Sequence, residues 1–482
     1  MAAELAFTLD TASVFHADDA ARHFTSYAAT ADADDAPLYT VQGVSVTEAL
    51  RAADISAEAF KTWRKVLPTE RREIFLRAAD LLTKRRDEGC TLQIAETGCT
   101  RMFAEKIFND AIAQTREWAA LTTSLTGSVP FSESGTTLPI VLREPIGPVL
   151  AIAAWNAAAI LGARSFATPI AAGCTAIFLT SEVTPATHAF VAQAYIDAGL
   201  PRGVLQVLHK RLEDAPEVTA ALIASPHIRK VNFTGSTTVG RVIATAAAQA
   251  LKPCLLELGG KAAVIVLEDA DLDAAATGVV LGAWLNQGQI CMSTERVFVQ
   301  RAIAEEFTAK VRARAETMHS YLVPGTQAVR RHAAAIHGLV TEAAAKGAKF
   351  VYGENSLSGA RVHPVVLADV TPEMRVYWDE TFGPCCVLVP VDTAAEAVTL
   401  TNESAYGLSA GIWTRDVVKA VNMARDIESG AVHINGMTVH DEPTLPHGGV
   451  KQSGYGNFGS VWGLNEFTVL KTITVEGYNR PY

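Results

Sequence analysis

This chain lacks most of what announces a metal site, a secreted scaffold or a nucleic-acid surface. Its seven cysteines, at 90, 99, 174, 254, 291, 385 and 386, form no CxxC pair and no Cys/His ligand spacing. An odd set without such spacing excludes a disulfide framework and a zinc site, and predicts reduced thiols with no metal. Basic residues number 41 against 51 acidic, a formal net charge of -10. That balance disfavours nucleic acid and anionic membrane as partners and points to a small molecule.

Two nucleotide signatures are also missing. No GxGxxG follows any predicted strand, and Gly259-Gly260-Lys261 is not a P-loop, because Leu255 stands where its first glycine would be and Ala262 where Ser or Thr is needed. Long apolar runs are scarce. Residues 145–163 carry no charge, but Pro145, Gly147, Pro148 and Asn156 break them into a turn, a short strand and a helix start, so no membrane span is expected. Met1-Ala2-Ala3-Glu4 has no basic, apolar leader and Asn479-Arg480-Pro481-Tyr482 no retention address, which predicts a cytoplasmic protein.

What is present is a globular composition, 49% hydrophobic and 19% charged over 482 residues, enough for two or three cores. Residues 1–45 are polar and Ala/Asp-rich and predict an irregular arm or short strands. From Val46 to Leu125 apolar residues recur at helical spacing, as in Arg71 to Leu82. Residues 126–143 interleave Gly, Ser and Thr with apolar residues and predict an inserted hairpin. Strands at 149–153, 175–179, 204–208 and 230–234 then alternate with helical spacers, the pattern of a doubly wound parallel sheet. A second α/β series runs through 262–267, 296–299, 387–390 and 431–435. The tail, 466–470 with 472–475, reads as strand able to pair with the inserted hairpin, within the chain or across subunits.

One cysteine stands apart. Cys291 follows an apolar run inside the polar, glycine-containing turn Asn286 to Arg296, while Glu257 ends an apolar segment just before Gly259-Gly260. A thiol and a carboxylate suffice for covalent catalysis followed by hydrolysis. The other cysteines read as small buried hydrophobes. Gly235-Ser236, after the strand 230–234, reads either as a capped helix start or as a pyrophosphate cradle.

Six segments in order, Trp155-Asn156, Phe233-Thr234-Gly235-Ser236, Glu257 to Lys261, Gly288 to Cys291, Glu380 to Pro384 and Pro446 to Gly454, resemble the NAD(P)-dependent aldehyde dehydrogenase superfamily. Residues 155–164 are further similar to its salicylaldehyde and vanillin dehydrogenase branch. The resemblance implies an α/β fold with a Rossmann-type cofactor domain, an α/β catalytic domain and a β oligomerisation flap. It implies an NAD-binding domain over 1–125 and 146–256, a catalytic domain over 257–456, and bridging strands at 126–145 and 457–482, assembled as homodimer or homotetramer. It also implies roles. Cys291 would be the nucleophile, Asn156 with the Cys291 backbone N–H the oxyanion hole, and Glu257 the base that activates water against a thioester. Trp155, Gly235, Ser236, Leu258, Glu380 and Phe382 would contact the coenzyme. Glu182 would hold the adenosine ribose and repel a 2'-phosphate, favouring NAD over NADP.

The pattern breaks at Leu179, where the family usually carries a ribose-binding lysine, and at Ala154 and Ala158, which replace prolines flanking the Trp-Asn pair. Loss of that lysine predicts weaker coenzyme binding and removes a cation for a 2'-phosphate. For the substrate, a helix starting at Asn156 would put Ile160 and Arg164 on its face, with Arg164 either lining the entrance or held in a structural ion pair. Ala157, Ile160, Arg164, Ile290, Met292 and Tyr455 form the expected pocket, with Trp118 and Phe458 as walls or core. The expected reaction is NAD-dependent oxidation of an aromatic or bulky aldehyde. A CoA-acylating enzyme, and a fold relative with a binding role only, are the alternatives.

Overall fold

Good helix formers at helical spacing over residues 46–121 become four helices in the computed structural model, which describes residues 23–29, 37–133, 135–323 and 325–478. They follow an antiparallel pair, β1 (His23–Tyr27) with β2 (Pro37–Gln42). Residues 1–22 and 30–36 of the expected arm lie outside the described residues. Helix α1 (Val46–Trp63) opens on a capping box between Ser45 and Glu48, and α2 (Pro68–Lys84) on a proline whose missing N–H is no loss in a first turn. Helix α3 (Arg86–Thr97) stops at Gly98 in the left-handed region (φ 67), and α4 (Arg101–Leu121) is capped by Thr100.

The expected hairpin at 126–143 does not close on itself. Ser128 bridges Val141, but β3 (Thr137–Pro145) pairs along its length with the tail strand of the same chain, residues 468–476. The tail was expected as a partner for this segment, and the pairing runs within the chain over a nine-residue register from Thr468↔Pro145 to Glu476↔Thr137.

The buried apolar runs then alternate with helices: β4 (Val149–Ile152), α5 (Ala158–Ala171), β5 (Ala176–Leu179), α6 (Pro185–Asp197), β6 (Leu205–Leu208), α7 (Ala215–Ala224), β7 (Lys230–Thr234), α8 (Thr237–Gln249) and β8 (Cys254–Glu257). The strands lie in the order β6-β5-β4-β7-β8, all parallel. The order reverses between β4 and β7, and a doubly wound sheet opens its crevice there, beyond the strands' carboxyl ends. Trp155-Asn156 after β4 and Gly235-Ser236 after β7 flank that point. Between the sheet and its helices, Phe166 and Phe178 are fully buried with ring centroids 5.2 Å apart, each contributing about 2–3 kcal/mol by burial.

A second sheet follows from β9 (Ala262–Val266), α9 (Leu272–Trp284), β10 (Thr294–Gln300), α10 (Ala304–Leu322), α11 (Arg330–Ala345), β11 (Lys349–Tyr352), β12 (Val365–Ala368), β13 (Cys385–Val391), β14 (Ser409–Trp413) and β15 (Ala431–Ile434). Its order is β11-β12-β13-β10-β9-β14-β15, parallel except at β11. Ile265, Phe298, Val387 and Ile412 form its core. The chain then returns to the first sheet as β16 (Gly454–Tyr455), antiparallel to β8 beside Glu257, before β17 (Thr468–Glu476) joins β3. No helix among the described residues is long and apolar enough to cross a membrane.

Candidate active site

Cys291 is delivered by a strained turn. Asn286 (φ 50), Gln287 (φ 59) and Gly288 (φ 71) are successive left-handed residues, a conformation of order 1–3 kcal/mol at each non-glycine position. At Gly288 a side chain is impossible, because a Cβ would stand 2.0 Å from the Gly383 carbonyl oxygen. Side-chain amides hold the turn: Asn286 Nδ2 donates to the Asn156 carbonyl (3.0 Å), Gln289 Nε2 to the Asn286 carbonyl (3.1 Å) and Asn156 Nδ2 to the Gln289 carbonyl (2.9 Å). Asn156 is therefore not a helix cap. Helix α5 begins at Ala158, two residues later than the sequence suggested, with Ala157 at its N-cap.

Glu257 ends β8, buried at 4% exposure, and the glycine pair after it is explained by protein rather than by a ligand alone. A Cβ on Gly259 would meet the Glu380 carboxylate at 2.4 Å, and one on Gly260 the Cys291 carbonyl oxygen at 2.2 Å. The Gly260 N–H donates to Glu380 Oε1 (2.9 Å). Ser453, in the segment 446–454, donates to the Gly259 carbonyl (2.7 Å) and accepts from the Gly407 N–H (3.0 Å), locking β16 against this corner.

These segments enclose a cavity of about 260 Å³ lined by Trp155, Asn156, Gly235, Ser236, Glu257, Leu258, Cys291, Glu380 and Phe382. Nine residues singled out from sequence thus come to one place. Trp155 meets Phe382 edge to face (5.8 Å) and lies tilted beside His332 (5.7 Å), which sequence reasoning had not marked. Ser236 caps α8 by accepting from Val239 N (3.4 Å), so both readings of Gly235-Ser236 stay compatible: a capped helix whose first amides open at the switch point. Burial, then the Glu257 and Glu380 carboxylates, push the Cys291 thiol up to about 12. Burial and the neighbouring Glu295 raise Glu380 to about 8. In this arrangement the thiol rests protonated, and a catalytic partner must take its proton.

Other predicted residues lie outside that lining. Glu182 follows β5, and Leu179 is buried within β5 and carries no donor. A cation does stand beside Glu182, however: Lys210, after β6, reaches the Thr180 carbonyl (3.1 Å) and Glu182 (3.4 Å). Sequence spacing could not reveal it, because adjacency of β5 and β6 is a property of the sheet. Arg164, 2% exposed, pairs with Asp441 and lies over the Phe458 ring (5.8 Å), so protein occupies its guanidinium. Ile160, Ile290 and Met292 are buried, Ala157 is half-buried and Tyr455 is 50% exposed on β16. Trp118 and Phe458 are core. His447, within a motif marked from sequence but not itself assigned a role, lies 3.4 Å from Glu257. Among the described residues no three His, Cys, Asp or Glu side chains are grouped to hold a metal ion.

Residues 19–473 match the aldehyde dehydrogenase family. The chain is 42% identical over 445 residues to a salicylaldehyde dehydrogenase of Pseudomonas sp. (strain C18), covering 91% of this chain and 92% of the relative. It is 44% identical over 448 residues to a vanillin dehydrogenase of Pseudomonas sp. (strain HR199 / DSM 7063), covering 92% of each. Its fold matches the crystal structure of a salicylaldehyde dehydrogenase from Pseudomonas putida G7 complexed with salicylaldehyde, with a TM-score of 0.93, 39% identity and 98% of both chains covered. Enzymes of this family oxidise aldehydes with NAD or NADP. With the match running through nearly the whole chain, this protein belongs to the aldehyde dehydrogenase family and is an oxidoreductase.

Proposed function

We propose that the chain oxidises an aromatic or otherwise bulky aldehyde to its carboxylic acid through a thiohemiacetal and then a thioester on Cys291, with NAD favoured over NADP. One observation carries the reading. Cys291, Glu257 and Asn156, from three separate segments, line the same cavity.

Cys291 loses its proton as sulfur adds to the aldehyde carbon. One N–H of the Asn156 carboxamide is held by the Gln289 carbonyl, which leaves the other for the oxyanion, a donor worth roughly 3 kcal/mol in such a site. The bound coenzyme supplies the hydride acceptor. The residues fit it: Trp155, Ser236, Leu258, Glu380 and Phe382 line the cavity, α8 opens its first turn at the switch point, and Gly259 leaves no room for a side chain between β8 and Glu380. Glu182 is the candidate for the adenosine ribose. In hydrolysis, Glu257 takes a proton from water as the water oxygen bonds to the acyl carbon. The C–S bond breaks, sulfur recovers a proton, and the acid leaves. A buried carboxylate beside the thiol favours water over CoA as acyl acceptor.

Similarity to salicylaldehyde and vanillin dehydrogenases supports a phenolic aldehyde, and the small Ala157 and Ala158 suit a flat ring. We assign residues 1–125 with 146–256 to coenzyme binding, 257–456 to catalysis, and 126–145 with 457–482 to assembly as a cytoplasmic homodimer or homotetramer. The ribbon of β3 and β17 supports assembly, since Leu470 (64%) and Ile473 (42%) are exposed on it. A panel of aromatic and aliphatic aldehydes with each coenzyme tests the reading. Cys291→Ala should abolish reduction of coenzyme, and full activity in that variant would refute it.

A further inference from the structure

The Glu257 carboxylate is held asymmetrically. Its Oε1 is buried without a hydrogen-bond partner, while Oε2 lies 3.4 Å from His447 Nε2. The other ring nitrogen, Nδ1, lies 3.7 Å from Asp441 Oδ1, and Asp441 Oδ2 is paired with the Arg164 guanidinium. The His447 backbone is fixed as well, exchanging hydrogen bonds with Phe458 (2.9 and 2.7 Å). Four side chains from α5, β8 and the segment after β15 therefore alternate in sign when the imidazole is protonated: Arg164, Asp441, His447, Glu257.

A buried carboxylate needs a cation or donors, or it takes up a proton. Arg164 is occupied by Asp441 and Lys261 by Glu295. Among the described residues, His447 is the basic side chain within ion-pair distance of Glu257. Burial lowers the His447 affinity for protons, but the Asp441 and Glu257 carboxylates outweigh it and hold the imidazole above its ordinary value, with Arg164 opposing them. His433 and His440 stack 4.8 Å apart beside it, and His440 is paired with Glu442. From α4, Lys106 and its partner Asp110 act on Asp441.

We propose that His447 is a positioning residue for Glu257: anchored on the Asp441–Arg164 pair, its ring grips Oε2, fixes the carboxylate and leaves Oε1 to the attacking water. The inference rests on the reading of Glu257 as the hydrolytic base. Removing the imidazole leaves the buried carboxylate without its neighbour, so hydrolysis should slow and should fail earlier on the acid side.

The test isolates hydrolysis and needs no coenzyme. Full-length protein is acylated at Cys291 with 4-nitrophenyl benzoate, and loss of the benzoyl group is followed by intact-protein mass against pH. The native chain should deacylate, and Glu257→Gln should retain the acyl group. His447→Phe should deacylate on the order of 10-fold more slowly, with its acid limb moved up by about one pH unit, the scale of one lost charge neighbour. His447→Gln, which keeps a donor without the charge, should fall between; it decides the matter if the phenylalanine variant does not acylate. Rapid deacylation by Glu257→Gln would overturn the reading of Glu257. A stalled Glu257→Gln alongside His447 variants with native rate and an unmoved or lowered acid limb would overturn the present inference alone.

Discussion

The ammonium of Lys210, after β6, lies 3.4 Å from the carboxylate of Glu182, after the neighbouring strand β5. The pair sits at the carboxyl edge of the first sheet, where the adenosine end of a dinucleotide is expected. Glu182 alone would repel a 2'-phosphate; a buried lysine against it offsets that repulsion. Lys210→Met should therefore raise the Kd for NADP about 10-fold more than that for NAD, the scale of one charge-assisted hydrogen bond. Titration calorimetry with both coenzymes checks this, and an unchanged ratio of the two constants would place Lys210 outside the site.

Asn156 is oriented by Gln289, and Asn286 ties the same turn to the Asn156 backbone. Replacing Asn156 with Ala should lower kcat by roughly 10² with little change in coenzyme affinity, since the amide acts on a charge that develops during reaction. Asn286→Ala should lower kcat too and also destabilise the fold, because Asn286 pins the turn in its left-handed conformation. Steady-state kinetics beside thermal melting separates the two effects.

The raised Cys291 thiol has a direct signature. Without coenzyme, alkylation by iodoacetamide should climb with pH toward a midpoint well above that of a free thiol, about 8.5. Burial is the first cause and Glu257 the second, so Glu257→Gln should move the midpoint down. The other six cysteines are buried, which makes the labelling selective. A midpoint near the free-thiol value, unmoved in the variant, would contradict this electrostatic picture.

Acid stability depends on two buried histidines behind the first sheet's carboxyl edge. His188 accepts from the Ser181 N–H (3.2 Å), lies 5.1 Å from Phe178 and is pushed by burial down to about 3; His209 is likewise lowered to about 4. Both folded values lie below the unfolded value near 6.5, so the unfolded chain binds protons first as pH falls. Their contribution is complete above about pH 6.5 and declines from there toward pH 4, by roughly 1 kcal/mol per pH unit for each group. His188→Phe should be less stable at pH 7.5, having lost an acceptor, yet show a shallower loss on going to pH 5. Urea unfolding at the two values measures the difference.

Composition and order alone determined much of this protein. The strands of the first sheet are short, β-rich runs spaced by helical stretches, so Lys230–Thr234 was legible to the residue although it buries Lys230 and Asn232. Cys291 and Glu257, which line one cavity, were singled out from sequence because a glycine-containing turn and a strand-end carboxylate leave local marks. Tertiary structure decided what depends on adjacency. Strand order brought Lys210 to Glu182, the return of β16 carried His447 to Glu257, and Asp441 claimed Arg164. Periodicity reports which face of an element is buried; it carries no information about which distant side chain will meet it there.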